Sequence, residues 1–175
     1  SVRVFRPCNN QAATQCWRLA MENIDTPTAL IFSRQAIKDL PEGVDYIGVE
    51  KGAYEVVKEE HPDVVLLASG SEVSTLVDTL PLLEEKKIKA RIISCPSEGL
   101  FRRQPAEYQE KLLPADVKVF ALTAGLSATF EGLVGRNGCI YGLDHFGYSA
   151  PYQVLDEKLG FTPHQVAEKI IKFLK

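Results

Sequence analysis

The stretch Asp63-Val64-Val65-Leu66-Leu67-Ala68-Ser69-Gly70-Ser71-Glu72-Val73 leaves few choices of local fold. Val64 to Ala68 is an unbroken apolar run, the pattern of a strand covered on both faces in a parallel sheet. Gly70 lets the backbone turn sharply after it. Ser69 and Glu72 have the spacing of a capping box, which predicts a helix starting at that point. Val73, Leu76, Val77 and Leu80 then share one helical face. A strand, a tight turn and a helix in this order seed an open α/β sheet. The free N–H groups of such a helix start also suit an anion. The turn therefore either only connects strand to helix or also holds a ligand.

The residues that follow repeat the alternation. Pro81 interrupts the apolar pattern and predicts a kink or break, because it lacks a backbone donor. Ala90–Ser94 and Val117–Leu122 read as further strands, with a short helix from Pro105 to Leu113 between them. Residues Ala128 to Val134 read as helical and Cys139–Tyr141 as a short strand. Pro151 suits the start of a helix reaching Leu159. Thr162 caps a last helix whose apolar face is Val166, Ile170, Ile171 and Leu174. The expected fold is α/β, an open and mostly parallel sheet with helices on both faces. Binding crevices in such sheets lie at the carboxyl ends of the strands. The polar residues there are Ser71, Glu72, Ser97, Glu98, Asp144 and His145. No G-x-x-x-x-G-K or G-x-G-x-x-G pattern accompanies them.

Ahead of this unit lies a partial β-α-β segment. Val2 to Phe5 reads as a strand stopped by Pro7. Asn9 or Asn10 can cap a helix to about Glu22, with Ala13, Cys16, Trp17 and Ala20 on its apolar face. Thr28 to Phe32 reads as a buried strand. Two strands and a helix bury too little surface to stand alone, so this segment needs more sheet. Residues 36–62 read as a connector, with Tyr46–Val49 and Ala53–Val57 as a hairpin or edge strands.

Composition narrows the function classes. The 175 residues are 45% hydrophobic and 25% charged, with a net charge of −3. Nucleic acid and anionic membranes are not the expected partners of such a balance. No apolar run approaches the roughly 20 residues that span a bilayer, and no signal-peptide core is visible. Cys8, Cys16, Cys95 and Cys139 lack C-x-x-C spacing and read as reduced thiols of a cytosolic protein. His61, His145 and His164 form no metal-ligand pattern. Nothing near Cys8 is arranged to activate a thiolate. Asp144 reads as a loop-satisfying carboxylate and His145 as a capping or packing residue. Phe146, Tyr148 and Tyr152 read as packing or dimer contacts.

Motifs along nearly the whole chain carry a resemblance. Phe5-Arg6-Pro7 followed by Cys16-Trp17-Arg18 looks like R-P-A-D-x-x-E-T…A-W. Pro27-Thr28-Ala29-Leu30 through Ser33-Arg34-Gln35 matches G-P-T-A-L…S-R-Q. Gly52-Ala53-Tyr54, Ala68 to Ser74, and Ile88 to Arg91 match G-A-Y, A-T-G-S-E-V-S and I-K-A-R. Gly142-Leu143-Asp144-His145-Phe146-Gly147 resembles G-I-D-R-F-G, and Gly160-Phe161-Thr162 matches the end of F-G-F-T. In this order they are similar to the C-terminal part of bacterial- and plant-type transketolases. The chain departs from that pattern at Asn9 and Ala12, where the family has Asp and Glu, and at His145, where Arg is common.

The resemblance implies a fold and a role. Transketolases move a two-carbon ketol unit between sugar phosphates, using thiamine diphosphate and a divalent metal held between domains of different subunits. The G-D-G…Asn motif, the cofactor-activating glutamate and the substrate-binding histidines are absent here. By the resemblance, residues 1–40 are the end of the pyrimidine-binding domain, 41–62 a connector, and 63–175 the C-terminal α/β domain. No catalytic, cofactor-binding or metal-binding residue is implied in this chain, and alone it is expected to be inactive. The implied partners are sugar phosphates, the missing N-terminal domains (from the same gene or a separate subunit) and a second copy in a homodimer. The implied compartment is the cytoplasm. Arg34 matches the arginine of S-R-Q, which in the family holds the sugar phosphate, and a guanidinium fork at a strand end suits that task. The other readings are a non-catalytic assembly or regulatory domain, a small-molecule module using the strand-end crevice, or part of a related thiamine enzyme such as a deoxyxylulose phosphate synthase or an oxo-acid dehydrogenase β chain.

Overall fold

A computed structural model describes residues 2–175. Arg3–Phe5 (β1) and Thr28–Leu30 (β2) pair in parallel, joined by the helix Asn10–Glu22 (α1). A 3-10 turn, Tyr46–Lys51, leads to Tyr54–Val57 (β3) and Val64–Ala68 (β4). Glu72–Glu84 (α2), Ala90–Ser94 (β5), Glu98–Phe101 (α3), Ala106–Leu112 (α4) and Lys118–Leu122 (β6) follow. A second 3-10 turn, Ser127–Phe130, precedes Cys139–Tyr141 (β7), Tyr152–Leu159 (α5) and Pro163–Leu174 (α6). The larger sheet has the order β3-β5-β4-β6-β7, all parallel except β3, which runs against β5 at the edge.

The apolar run Val64–Ala68 is the centre of this sheet. All five residues of β4 are fully buried between β5 and β6. Their alternation feeds two cores. Val64, Leu66 and Ala68 pack with Leu76, Leu83, Val166 and Ile170 of α2 and α6. Val65 and Leu67 face the other way, towards Phe101, Leu112 and Phe130. Burial on both sides is why the run shows no polar alternation.

Local signals placed several elements where expected. Asn9 caps α1, its Oδ1 accepting from Ala12 N at 3.0 Å. Thr162 caps α6 through a bond from Gln165 N at 3.3 Å. Other expectations fail, each for a physical reason. The proposed capping box does not form: Ser71 precedes α2 without a side-chain cap, and Ser69 and Glu72 bond elsewhere. Pro81 does not break α2, which continues to Glu84 over the buried Leu76, Thr79 and Leu83. Packing of that face offsets the missing backbone bond.

Tyr46–Val49 is not a strand. Asp45 Oδ1 accepts from Ile47 N at 3.1 Å and winds the segment into a 3-10 turn. Only β3 from that region is extended, so the larger sheet takes in a strand that lies before residue 63. The helical reading of 128–134 reduces to the turn Ser127–Phe130. In the N-terminal unit, β2 is half-buried and ends at Leu30, leaving Ile31 and Phe32 exposed. Trp17 is 55% exposed and stacks on Phe32 at 6.4 Å, while the small Ala12 and Cys16 face inward. No helix among the described residues is long and apolar enough to cross a membrane.

Candidate functional site

The two sheets meet at their strand ends, where Phe5 and Cys8 share a core with Val49 and Tyr54 and Arg6 adds a polar link. Arg6 follows β1 directly. Its N–H donates to Pro96 O at 2.8 Å, beyond β5, and its carbonyl accepts from Gly70 N at 3.0 Å, beyond β4. Its side chain repeats the contact. Nη1 donates to Ser69 Oγ at 3.0 Å, and Nη2 donates to Glu72 Oε2 at 3.1 Å. Gly70 has φ of +61°, a conformation glycine adopts without strain. A Cβ on Gly70 would lie 3.1 Å from Nη2, so the missing side chain also gives the guanidinium its place.

Glu72 is buried, at 6% side-chain exposure, whereas Arg6 is 27% exposed. Burial raises the Glu72 carboxyl above its usual value, and the attraction of Arg6 only partly reverses this. The carboxylate therefore sits at a helix start, where the dipole favours it, yet it pays for desolvation.

Beside this joint is a crevice of about 280 Å³. Arg6, Ser33, Arg34 and Gln35 line it from the N-terminal segment, with Ser71, Glu72 and Ala124 opposite. Arg34 thus stands at the meeting of the strand ends. Its side chain is exposed and has no hydrogen bond or ion pair among the described residues. A free guanidinium in such a hollow offers a planar fork to an oxyanion.

The other expected residues do not gather there. Ser97 and Glu98 line a separate hollow of about 260 Å³ with Arg3, Asp25 and Arg103. Asp144 accepts from Ser127 N at 3.1 Å and Ser127 Oγ at 2.8 Å, and these bonds hold its carboxyl below the usual value. That is the loop-satisfying role its sequence context suggested. His145 Nδ1 lies 2.7 Å from Phe146 O in the same exposed loop. Phe146, Tyr148 and Tyr152 are exposed. Cys8 is buried with Sγ 3.3 Å from Tyr54 Oη, and burial raises its thiol, which disfavours the thiolate.

Sequence reasoning singled out Arg34 but gave Arg6 no role of its own. The available signal was weak: an arginine immediately after a strand, one residue before proline. The described residues also bring together no group of three or more His, Cys, Asp or Glu side chains able to hold a metal ion.

Comparison with known proteins gives the family of the fold. The family described as the transketolase-like TK C-terminal domain matches residues 52–162, which include β3 and the larger sheet. The transketolase of Halalkalibacterium halodurans is 41% identical over 95% of this chain and 26% of its own length. The transketolase of Leishmania mexicana superposes with a TM-score of 0.90 at 35% identity, over 99% of this chain and 25% of that one. The Pichia stipitis transketolase solved with sedoheptulose-7-phosphate superposes at 0.89 with 31% identity, over the same shares. The chain spans about a quarter of the length of the curated relatives it matches.

The raised Glu72 carboxyl has a signed consequence. Glu72 holds its proton more tightly folded than unfolded, so its stabilising contribution is complete below about pH 4.5 and falls as pH rises through the folded-state value. Glu72→Gln removes this titration. In urea unfolding, the stability of the variant relative to the parent should rise across the interval just above pH 4.5 and then level off. A flat or falling difference would show that Arg6 outweighs burial.

Proposed function

The chain belongs to the transketolase-like C-terminal domain family, and on that premise we propose that it works as part of an enzyme that moves a two-carbon ketol unit from a ketose phosphate to an aldose phosphate. Its likeness to transketolases over nearly its whole length supports the reading. The observation that carries it to particular residues is the placement of Arg34, unpaired, in the crevice where the strand ends of the two sheets meet.

In this reading residues 1–40 close the pyrimidine-binding domain. The larger sheet, with β3 contributed from the 41–62 connector, is the C-terminal domain. Thiamine diphosphate supplies the carbanion-stabilising chemistry when bound, and the remaining domains hold it with its metal. Arg34 binds the phosphate end of the sugar. A phosphate held there fixes one end of a flexible substrate and places its reacting carbon by distance. The enzyme is a cytoplasmic homodimer. The free thiols of Cys8, Cys16, Cys95 and Cys139 fit a reducing compartment. The exposed aromatics Phe146, Tyr148 and Tyr152, within one loop and helix start, suit a contact between copies.

Arg34→Ala in the complete enzyme tests this. Loss of a charge-assisted contact worth about 1.5–3 kcal/mol should raise KM for xylulose 5-phosphate roughly 10- to 100-fold. KM for an unphosphorylated ketose should move less than about twofold. Equal losses on both substrates would contradict a phosphate contact. Purified by itself, the chain should give no turnover of xylulose 5-phosphate, and measurable turnover would contradict the assignment of the cofactor to other domains.

A further inference from the structure

We propose that Arg6 is a second anion-binding residue of the crevice, acting with Arg34, and that Ser69 and Glu72 are the positioning residues that hold it there. The inference rests on the reading that the crevice takes the phosphate of the substrate.

Arg6 and Arg34 line one hollow of about 280 Å³, and Arg6 keeps 27% of its side chain exposed. A guanidinium has five N–H donors in a rigid fork. Ser69 Oγ and Glu72 Oε2 take one contact each, from Nη1 and Nη2. The side-chain bonds of Arg6 are made by Nη1 and Nη2, and Nε makes none among the described residues. Donors therefore remain for a ligand.

Those donors are held in place before any ligand arrives. The backbone of Arg6 is fixed on both sides, to Pro96 O and from Gly70 N. The guanidinium lies against Gly70, where any Cβ would meet Nη2, Cζ and Nε at 3.1–3.5 Å. A group immobilised by the fold loses little rotamer freedom on binding, which favours affinity. Glu72 is buried at a cost, and orienting a cation at a binding site is a use for that cost.

Charge also fits. Arg6, Arg34 and Glu72 are the charged residues lining the crevice, so it is net positive with one carboxylate turned onto Arg6. A phosphate monoester carries a charge of about −1.5 to −2 at neutral pH, more than one guanidinium balances. Arg34 comes from the N-terminal segment. Ser69 lies in the turn after β4 and Glu72 begins α2, so Arg6 links the C-terminal domain to substrate.

The test compares Arg6→Lys, Ser69→Ala and Arg34→Ala in the complete enzyme. The readouts are KM and kcat for xylulose 5-phosphate and for an unphosphorylated ketose, with inhibition by inorganic phosphate. Lysine keeps the charge but not the fork. Arg6→Lys should raise KM for the phosphorylated donor, and the inhibition constant of phosphate, about tenfold. Values for the unphosphorylated ketose should stay within about twofold. Ser69→Ala removes one bond to Arg6 and leaves its backbone contacts, so it should shift the same two quantities roughly two- to threefold. Equal losses on both donors, or none on either, would overturn the inference. If Arg34→Ala is selective for the phosphorylated donor and Arg6→Lys is not, the role of Arg6 fails alone. If Arg34→Ala changes neither KM, the phosphate reading fails and takes this inference with it.

Discussion

The contact between Arg6 and the turn after β4 is the polar link at the strand ends of the two sheets, set beside the apolar packing of Phe5, Cys8, Ala12 and Cys16 against Val49 and Tyr54. The larger sheet has its own cores on both faces, built on β4. The N-terminal unit has only β1, β2 and one helix, too little to bury much surface by itself. Arg6 connects them with backbone bonds to Pro96 and Gly70 and side-chain bonds to Ser69 and Glu72. Two strand ends are thereby brought against each other, and the crevice containing Arg34 lies between them. The position of the candidate site is thus a consequence of that joint.

The turn does this through a combination of small features. Gly70 takes a left-handed conformation and leaves room for a guanidinium against the backbone. Glu72 begins α2, so its carboxylate gains from the helix dipole while losing water. The glycine supplies space, the carboxylate supplies direction, and the backbone bonds prevent drift. A polar link assembled in this way is held by short contacts rather than by a large buried area.

Much of the larger sheet could be read from sequence because its determinants are local. An unbroken apolar run marked β4 and Thr162 marked the start of α6, while in the N-terminal unit Asn9 or Asn10 marked that of α1. Two of the errors arose where a distant partner overrode a local pattern. Ser69 and Glu72 have capping-box spacing, yet a side chain more than sixty residues earlier, Arg6, claims them both. Periodicity put Trp17 on an apolar face, but Ala12 and Cys16 allow closer approach and Trp17 stacks outside on Phe32. Tyr46–Val49 has strand-like residues, but the Asp45 carboxylate bonds Ile47 N and winds them into a 3-10 turn. Arg34 was singled out through the family motif, since no local rule distinguishes it from a surface arginine. Arg6 was missed because its importance lies wholly in tertiary contacts.

A double-mutant cycle on Arg6 and Glu72 tests the joint most directly. Unfolding free energies would be measured by urea for the parent, Arg6→Met, Glu72→Gln and the combined variant. If the ion pair joins the sheets, the two substitutions should be coupled by about 1 kcal/mol or more. Additivity to within about 0.5 kcal/mol would contradict the account, because the two side chains would then stabilise the fold independently.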